Sequence, residues 1–273
     1  MSSSLNNIFT VWSFAFGAVI ASFLNVVIWR VPRGESIVSP PSHCHKCNAR
    51  IKWYQNIPVV SYLALRGRCA NCGEKISVRY LLIELVGGAL FMWTWIRFGM
   101  LAPLLWVWIS LMMIGTMIDF DHKLLPDFVT VGGMLYGVLV VNLAFPLLLG
   151  IGVADLWPGL IRSVAGLALG LGLMWLIRFA GSKAFKREAM GMGDVLLMGA
   201  VGSISGMEGV VFVVMVSSLI GSIGGILTMA IGKRWKRNVE IPYGPYICAA
   251  HFVCIFYGDE IVSWYLRLLG VQA

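Results

Sequence analysis

The sequence predicts an all-α polytopic membrane protein of about eight transmembrane helices with a small cytoplasmic four-cysteine zinc-binding loop. Three observations predict this. The chain of 273 residues is 59% hydrophobic and only 12% charged, whereas a soluble domain is nearer one quarter charged. Its apolar residues gather into runs of bilayer-spanning length. Its one long polar stretch carries two C-x-x-C pairs. A net charge of +8 would suit nucleic acid, but the basic residues fall where membrane topology puts them. The expected surroundings are therefore lipid, and no nucleic-acid partner is expected. Oligomeric state is not legible.

The apolar runs lie at 8–29, 80–98, 101–118, 128–150, 157–178, 194–207, 209–232 and 244–268. The sixth is short, and the 194–232 region admits another division. Three parts follow: a first helix over 1–29, a metal loop over 30–79 and a membrane core over 80–273. Met1–Asn7 carries no Lys or Arg, and no clear small-residue cleavage site follows the first run. A cleavable signal peptide is not expected. Cytoplasmic loops are enriched in Lys and Arg, so the N-terminus is placed outside the cytoplasm. Of the 21 Lys and Arg residues, only Arg97, Arg162 and Arg267 then fall outside the inner loops. The C-x-x-C loop faces the cytoplasm.

Cys44-His45-Lys46-Cys47, then 21 residues, then Cys69-Ala70-Asn71-Cys72 is a four-thiolate spacing. Each pair gives two sulfurs on one tight turn, and four thiolates make a closed structural zinc site. A catalytic zinc would keep an open position. Disulfides are the competing reading, and a cytoplasmic loop disfavours them. His43 and His45 are substitute ligands that four cysteines leave without a task. Cys248 and Cys254 read as small core residues.

Asp119 closes one apolar run and Asp194 opens another. Ionisable groups at a bilayer edge are costly and mark function. The topology puts both at one membrane face, which suggests a paired-acid site. A proton-coupled transporter would need acids at mid-bilayer depth on several helices. Blander readings stand beside this one. Asp121 and Asp127 read as a polar turn, with Asp127 capping the helix after Pro126. Asp194 could be a first-turn acid, and His122 an interfacial residue. Glu84, in an apolar run, needs a partner, for which a basic residue could serve. His251 reads as a hydrogen-bonded core residue.

Five stretches in order resemble the type IV prepilin peptidase family, also called leader peptidase and N-methyltransferase. Ala21–Pro32 resembles the family's first helix and its exit. Ser39–Cys44 leads into the cysteine pairs as in the longer bacterial members. Ile118–Asp127 resembles the first catalytic motif, Gly191-Met192-Gly193-Asp194 the G-x-G-D motif, and Ile241–Tyr246 the turn before the final helix. The resemblance implies an intramembrane aspartic peptidase of the bacterial inner membrane with Asp119 and Asp194 as its dyad. Asp121 and Asp127 belong to the first motif without being the acids. The substrates implied are pilin-like precursors whose basic leader is removed after Gly. The new N-terminus is then methylated from S-adenosylmethionine. Two positions depart from the family: Leu196 stands where Lys is usual, and His45 where many members carry Pro. Leu196 admits a second reading, a catalytically impaired membrane scaffold that docks pilin-like helices.

Overall fold

The computed structural model describes residues 3–144, 146, 153–188, 190–231, 242–268 and 270. Lys233, Arg234, Lys236, Arg237 and Ile241, used above for orientation and for the last motif, lie outside the described residues. So do the end of the expected 128–150 run and residue 232. The described residues are mostly helical and hold no strand beyond two isolated bridges. Five helical stretches among them are long and apolar enough to cross a membrane. One, Val78–His122, holds two helices, and another, Met192–Leu227, is broken within.

The chain divides into two compact units, Met1–Ile114 and Gly115–Ala273. In the first, α1 (Ser3–Arg30) packs along α3 (Val78–Phe98). Small residues make this possible: a Cβ at Gly17 would lie 2.8 Å from the Gly87 carbonyl oxygen, and one at Gly87 2.5 Å from the Ala21 Cβ. Close backbone approach of this kind is how membrane helices associate without a hydrophobic driving force between them. A 3-10 turn, Gly99–Leu101, joins α3 to α4 (Ala102–His122). There the Trp106 ring stacks on Phe91 at 5.1 Å while its Nε1 donates to the Phe91 carbonyl at 3.0 Å. The polar stretch between α1 and α3 holds the short α2 (Val60–Ala64).

In the second unit, α5 (Asp127–Leu135) runs on into a π-helical segment, Tyr136–Ala144. Then come α6 (Val153–Phe185), α7 (Met192–Ile231) and α8 (Gly244–Leu268). Helices α6 and α7 meet backbone to backbone, since a Cβ at Gly166 would lie 2.2 Å from the Gly202 oxygen. The expected runs 194–207 and 209–232 are one helix, α7, broken at Gly206 with φ 72° and ψ −170°. A break inside an apolar unit strips carbonyls of their helical donors, and these must be satisfied internally. Ser163 Oγ and Asn142 Nδ2 both donate to the Ser203 oxygen, at 2.6 and 3.2 Å, and Arg162 Nη2 donates to the Ser205 oxygen at 3.4 Å. The Ser205 hydroxyl is 2.7 Å from Nε2 of the buried His251, which is a hydrogen-bonded core residue as expected.

Candidate active site and metal centre

Asp119 lies in the last turn of α4, inside the helix rather than beyond its end. The helix stops at His122 because Lys123 turns into the left-handed region at φ 53°. Pro126, which cannot donate to a preceding turn, then opens α5. Asp119 is 5% exposed, and its Oδ2 accepts the Gly244 N–H at 3.0 Å. That N–H is the first of α8, at the positive end of the helix dipole. Only glycine permits this contact, because a Cβ at Gly244 would lie 2.6 Å from the same oxygen. Tyr243 holds the turn in place. Its carbonyl accepts the Tyr246 and Ile247 N–H groups, and its hydroxyl lies 2.7 Å from Ser217 Oγ and 3.3 Å from Ser218 Oγ on α7.

Asp194 stands in the first turn of α7 and is 8% exposed. Among the described residues its Oδ1 is buried without a hydrogen-bond partner. The loop before it is tied down by Arg178 of α6, whose Nε donates to the Met190 oxygen at 2.9 Å and whose Nη2 pairs with Glu188 at 3.1 Å. Asp119 and Asp194 are close enough for the charge of one to act on the other, and both act on the buried Cys248 thiol. Leu125 packs into the same place: a Cβ at Gly193 would touch its Cβ at 3.0 Å, and one at Gly244 its Cδ1 at 3.5 Å. The two acids named by the sequence are thus brought together. Gly244, Tyr243, Arg178 and Leu125 went unrecognised as members of the site. The Tyr-Gly-Pro tripeptide signalled a turn, but nothing local signalled what the turn touches.

Other candidates resolve differently. Asp121, His122 and Asp127 are exposed. Asp127 is the first residue of α5, with Pro126 in the cap position, so it is a first-turn acid rather than the cap. Glu84 is buried, and its Oε2 accepts the Val59 N–H at 2.8 Å in place of the basic partner expected. Val59 needs that anchor, since a β-branched residue at φ 62° is strained.

The four loop cysteines form one cluster. Cys44 and Cys72 sulfurs are 3.9 Å apart, those of Cys47 and Cys69 4.0 Å, and all four lie within 4.8 Å of one another. Four sulfurs about 2.3 Å from a tetrahedral zinc ion would be roughly 3.8 Å apart, so this donor set fits the ion. The two halves fold alike. The residue after each second cysteine, Asn48 at φ 55° and Gly73 at φ 70°, turns left-handed. The Cys44 N–H then reaches the Ala49 oxygen and the Cys69 N–H the Glu74 oxygen, at 3.0 and 2.8 Å. Lys46 and Glu74 pair across the halves. The Ala49 N–H and then the Asn71 amide pull the Cys47 thiol down to about 6. The N–H groups of Cys72 and Asn71 lower Cys69. At these two positions the thiolate, the form a metal binds, is favoured. At Cys72 the lowering pull of the Glu74 backbone is outweighed by burial and the neighbouring thiols, which raise the thiol to about 11. No cysteine is in a disulfide. His45 packs against Trp29 at 5.0 Å and His43 Nδ1 lies 3.1 Å from the Pro41 oxygen, so neither joins the cluster.

Comparison with known proteins decides the family. Residues 15–98 match the bacterial peptidase A24 N-terminal domain, and residues 106–226 the type IV leader peptidase family. A prepilin leader peptidase/N-methyltransferase of Myxococcus xanthus is 41% identical over 87% of this chain and 69% of its own. Proteins of the same name from Aeromonas hydrophila and Pseudomonas aeruginosa are 35% and 32% identical, over 93% and 97% of this chain and 92% and 96% of theirs. The chain belongs to the type IV leader peptidase family. No solved structure matches it. The leader peptidase match begins inside α4 and covers both Asp119 and Asp194, while the N-terminal match covers the four cysteines. At Leu196, where the resemblance led us to expect Lys, the side chain is half-buried in α7. Lys123, from the end of α4, is near enough for its charge to act on Asp119.

Proposed function

We propose that this protein is an intramembrane aspartic endopeptidase. It removes the basic leader of type IV pilin-like precursors, cutting after Gly at the cytoplasmic membrane face. The observation that carries the reading is the carboxylate pair. Two acids from separate helices are buried together in an apolar unit, one oxygen engaged by the Gly244 N–H and another, Asp194 Oδ1, without a partner. Membership of the leader peptidase family supports the same reaction.

Two carboxylates sharing a site hold one proton between them and titrate as a unit. Asp119 Oδ2 faces a donor and so acts as an acceptor, whereas Asp194 Oδ1 has no competitor for the proton. The ionised carboxylate takes a proton from water as the water oxygen attacks the scissile carbonyl. The protonated carboxyl gives its proton to the carbonyl oxygen, and a gem-diol forms. The first carboxyl then protonates the leaving nitrogen and the second recovers a proton from the diol as the C–N bond breaks. The pair returns to one shared proton.

Cys44, Cys47, Cys69 and Cys72 would hold a structural Zn²⁺ whose binding stabilises the fold of the loop. Methylation of the new N-terminus from S-adenosylmethionine rests on the family alone. The described residues contain no βαβ unit to cradle a nucleotide, and no step through that donor is derived. The finer topology proposed is eight spans: α1, α3, α4, α5 with its π-helical extension, α6, the two parts of α7, and α8. The basic loops then face the cytoplasm of a bacterial inner membrane.

Asp119→Asn and Asp194→Asn should each abolish leader removal from a pilin-like precursor while the protein still accumulates in the membrane. Full cleavage by either variant would remove that residue from the pair. Leu196 favours one competing reading, a scaffold that docks pilin-like helices without cutting them. Cleavage by the wild-type protein in liposomes excludes it.

A further inference from the structure

We infer that Leu125 fixes the size of the residue accepted on the acyl side of the scissile bond and restricts it to glycine. The inference rests on the peptidase reading above. Leu125 is held between Lys123, in the left-handed region, and the buried Pro126, so its backbone has little latitude. Its side chain meets three glycines. A Cβ at Gly115 would lie 3.4 Å from Cδ2, one at Gly193 3.2 Å from Cδ1, and one at Gly244 3.5 Å from Cδ1. Gly193 directly precedes Asp194, and the Gly244 N–H is bonded to Asp119. One isobutyl group therefore touches the backbone beside each acid.

Leu125 is only half-buried, so part of it faces outward from this packing. A peptide bond brought to both carboxylates arrives against that part. Three of the positions around it are already glycine and cannot shrink further to admit a substrate side chain. Leu125 is the large side chain shared by the backbone beside both acids, and its size sets the space there. A substrate glycine presents no Cβ to it, whereas an alanine at the same place presents a methyl group that must displace the leucine.

The test is a competition between two precursors in one reaction, identical except for Gly or Ala before the cleavage site. The ratio of their cleavage rates does not depend on how much enzyme is folded. Wild type should favour Gly by about tenfold or more, and Leu125→Ala should reduce that preference by about tenfold, mainly by raising cleavage of the Ala precursor. Leu125→Val should shift the ratio the same way by less, and it decides the matter should Leu125→Ala yield no active enzyme. A merely structural leucine would slow both precursors together and leave the ratio unchanged, which overturns the inference. If wild type cleaves neither precursor, the peptidase reading itself fails and takes this inference with it.

Discussion

Gly244 is where backbone geometry sets the chemistry. Its N–H is 3.0 Å from Asp119 Oδ2, and a Cβ there would sit 2.6 Å from that oxygen. Gly244→Ala must therefore push the turn or the carboxylate aside. A displacement near 1 Å at a reacting group costs about a hundredfold. We expect kcat on a pilin-like precursor to fall by about that factor with KM little changed. A variant with wild-type kcat would show that the contact has no part in the reaction. Tyr243→Phe keeps the ring and loses the hydroxyl bonds to Ser217 and Ser218. Bonds of this kind contribute roughly 0.5–1.5 kcal/mol, so a smaller fall in kcat is expected. Glu84 belongs to stability instead. Glu84→Leu strands the Val59 N–H at a cost of about 1–3 kcal/mol, while Glu84→Gln keeps an acceptor. Unfolding in detergent should separate the two substitutions; equal midpoints would show that the bond contributes nothing.

At the scale of helices, the apolar runs located the elements, and their partners stayed hidden. The runs 80–98 and 244–268 fall almost on α3 and α8. The acids were legible because a carboxylate beside an apolar run is costly to keep and so marks function. The contact from Gly244 to Asp119 spans 125 residues, and hydropathy cannot forecast it. Helices such as α4 and α7 are apolar on nearly every side, so no polar face marks which side meets a neighbour. The break in α7 fell at Gly206, within a stretch where Gly199, Gly202 and Gly209 are also glycines. Nothing local distinguishes the hinge from those used for packing. Space around the glycines does separate packing positions from open ones. A Cβ at Gly202 would lie 2.1 Å from the Gly166 oxygen, whereas one at Gly172 meets nothing within 4 Å. Gly202→Ala should destabilise by about 1–3 kcal/mol through overpacking. Gly172→Ala should be neutral or stabilise by up to about 1 kcal/mol through helix propensity. Unfolding titrations in denaturing detergent would rank the pair, and the reverse order would refute the α6–α7 packing.

For the whole molecule, metal and topology can be tested together. The loop over 30–79 carries nine Lys and Arg residues, each a site for trypsin. It is short of helix, holding only α2 and a few turns, and its cysteines bring residues 44–47 and 69–72 to one point. A loop with so little core draws its order from the ion, since zinc affinity in such a module is folding free energy. Wild-type protein should therefore contain about one zinc per chain. Cys44→Ser with Cys69→Ser should lose that zinc and make the loop sensitive to trypsin. The membrane helices themselves should survive as protected pieces, since their backbone bonds are satisfied internally. Sidedness adds a second, independent readout. With the basic loops facing the cytoplasm, the metal-free loop of the variant should be cut in inside-out vesicles and spared in right-side-out vesicles. A metal-free loop that still resists trypsin would show that packing, not the ion, holds it. Cutting from the outer face would reverse the topology while leaving the carboxylate pair as described.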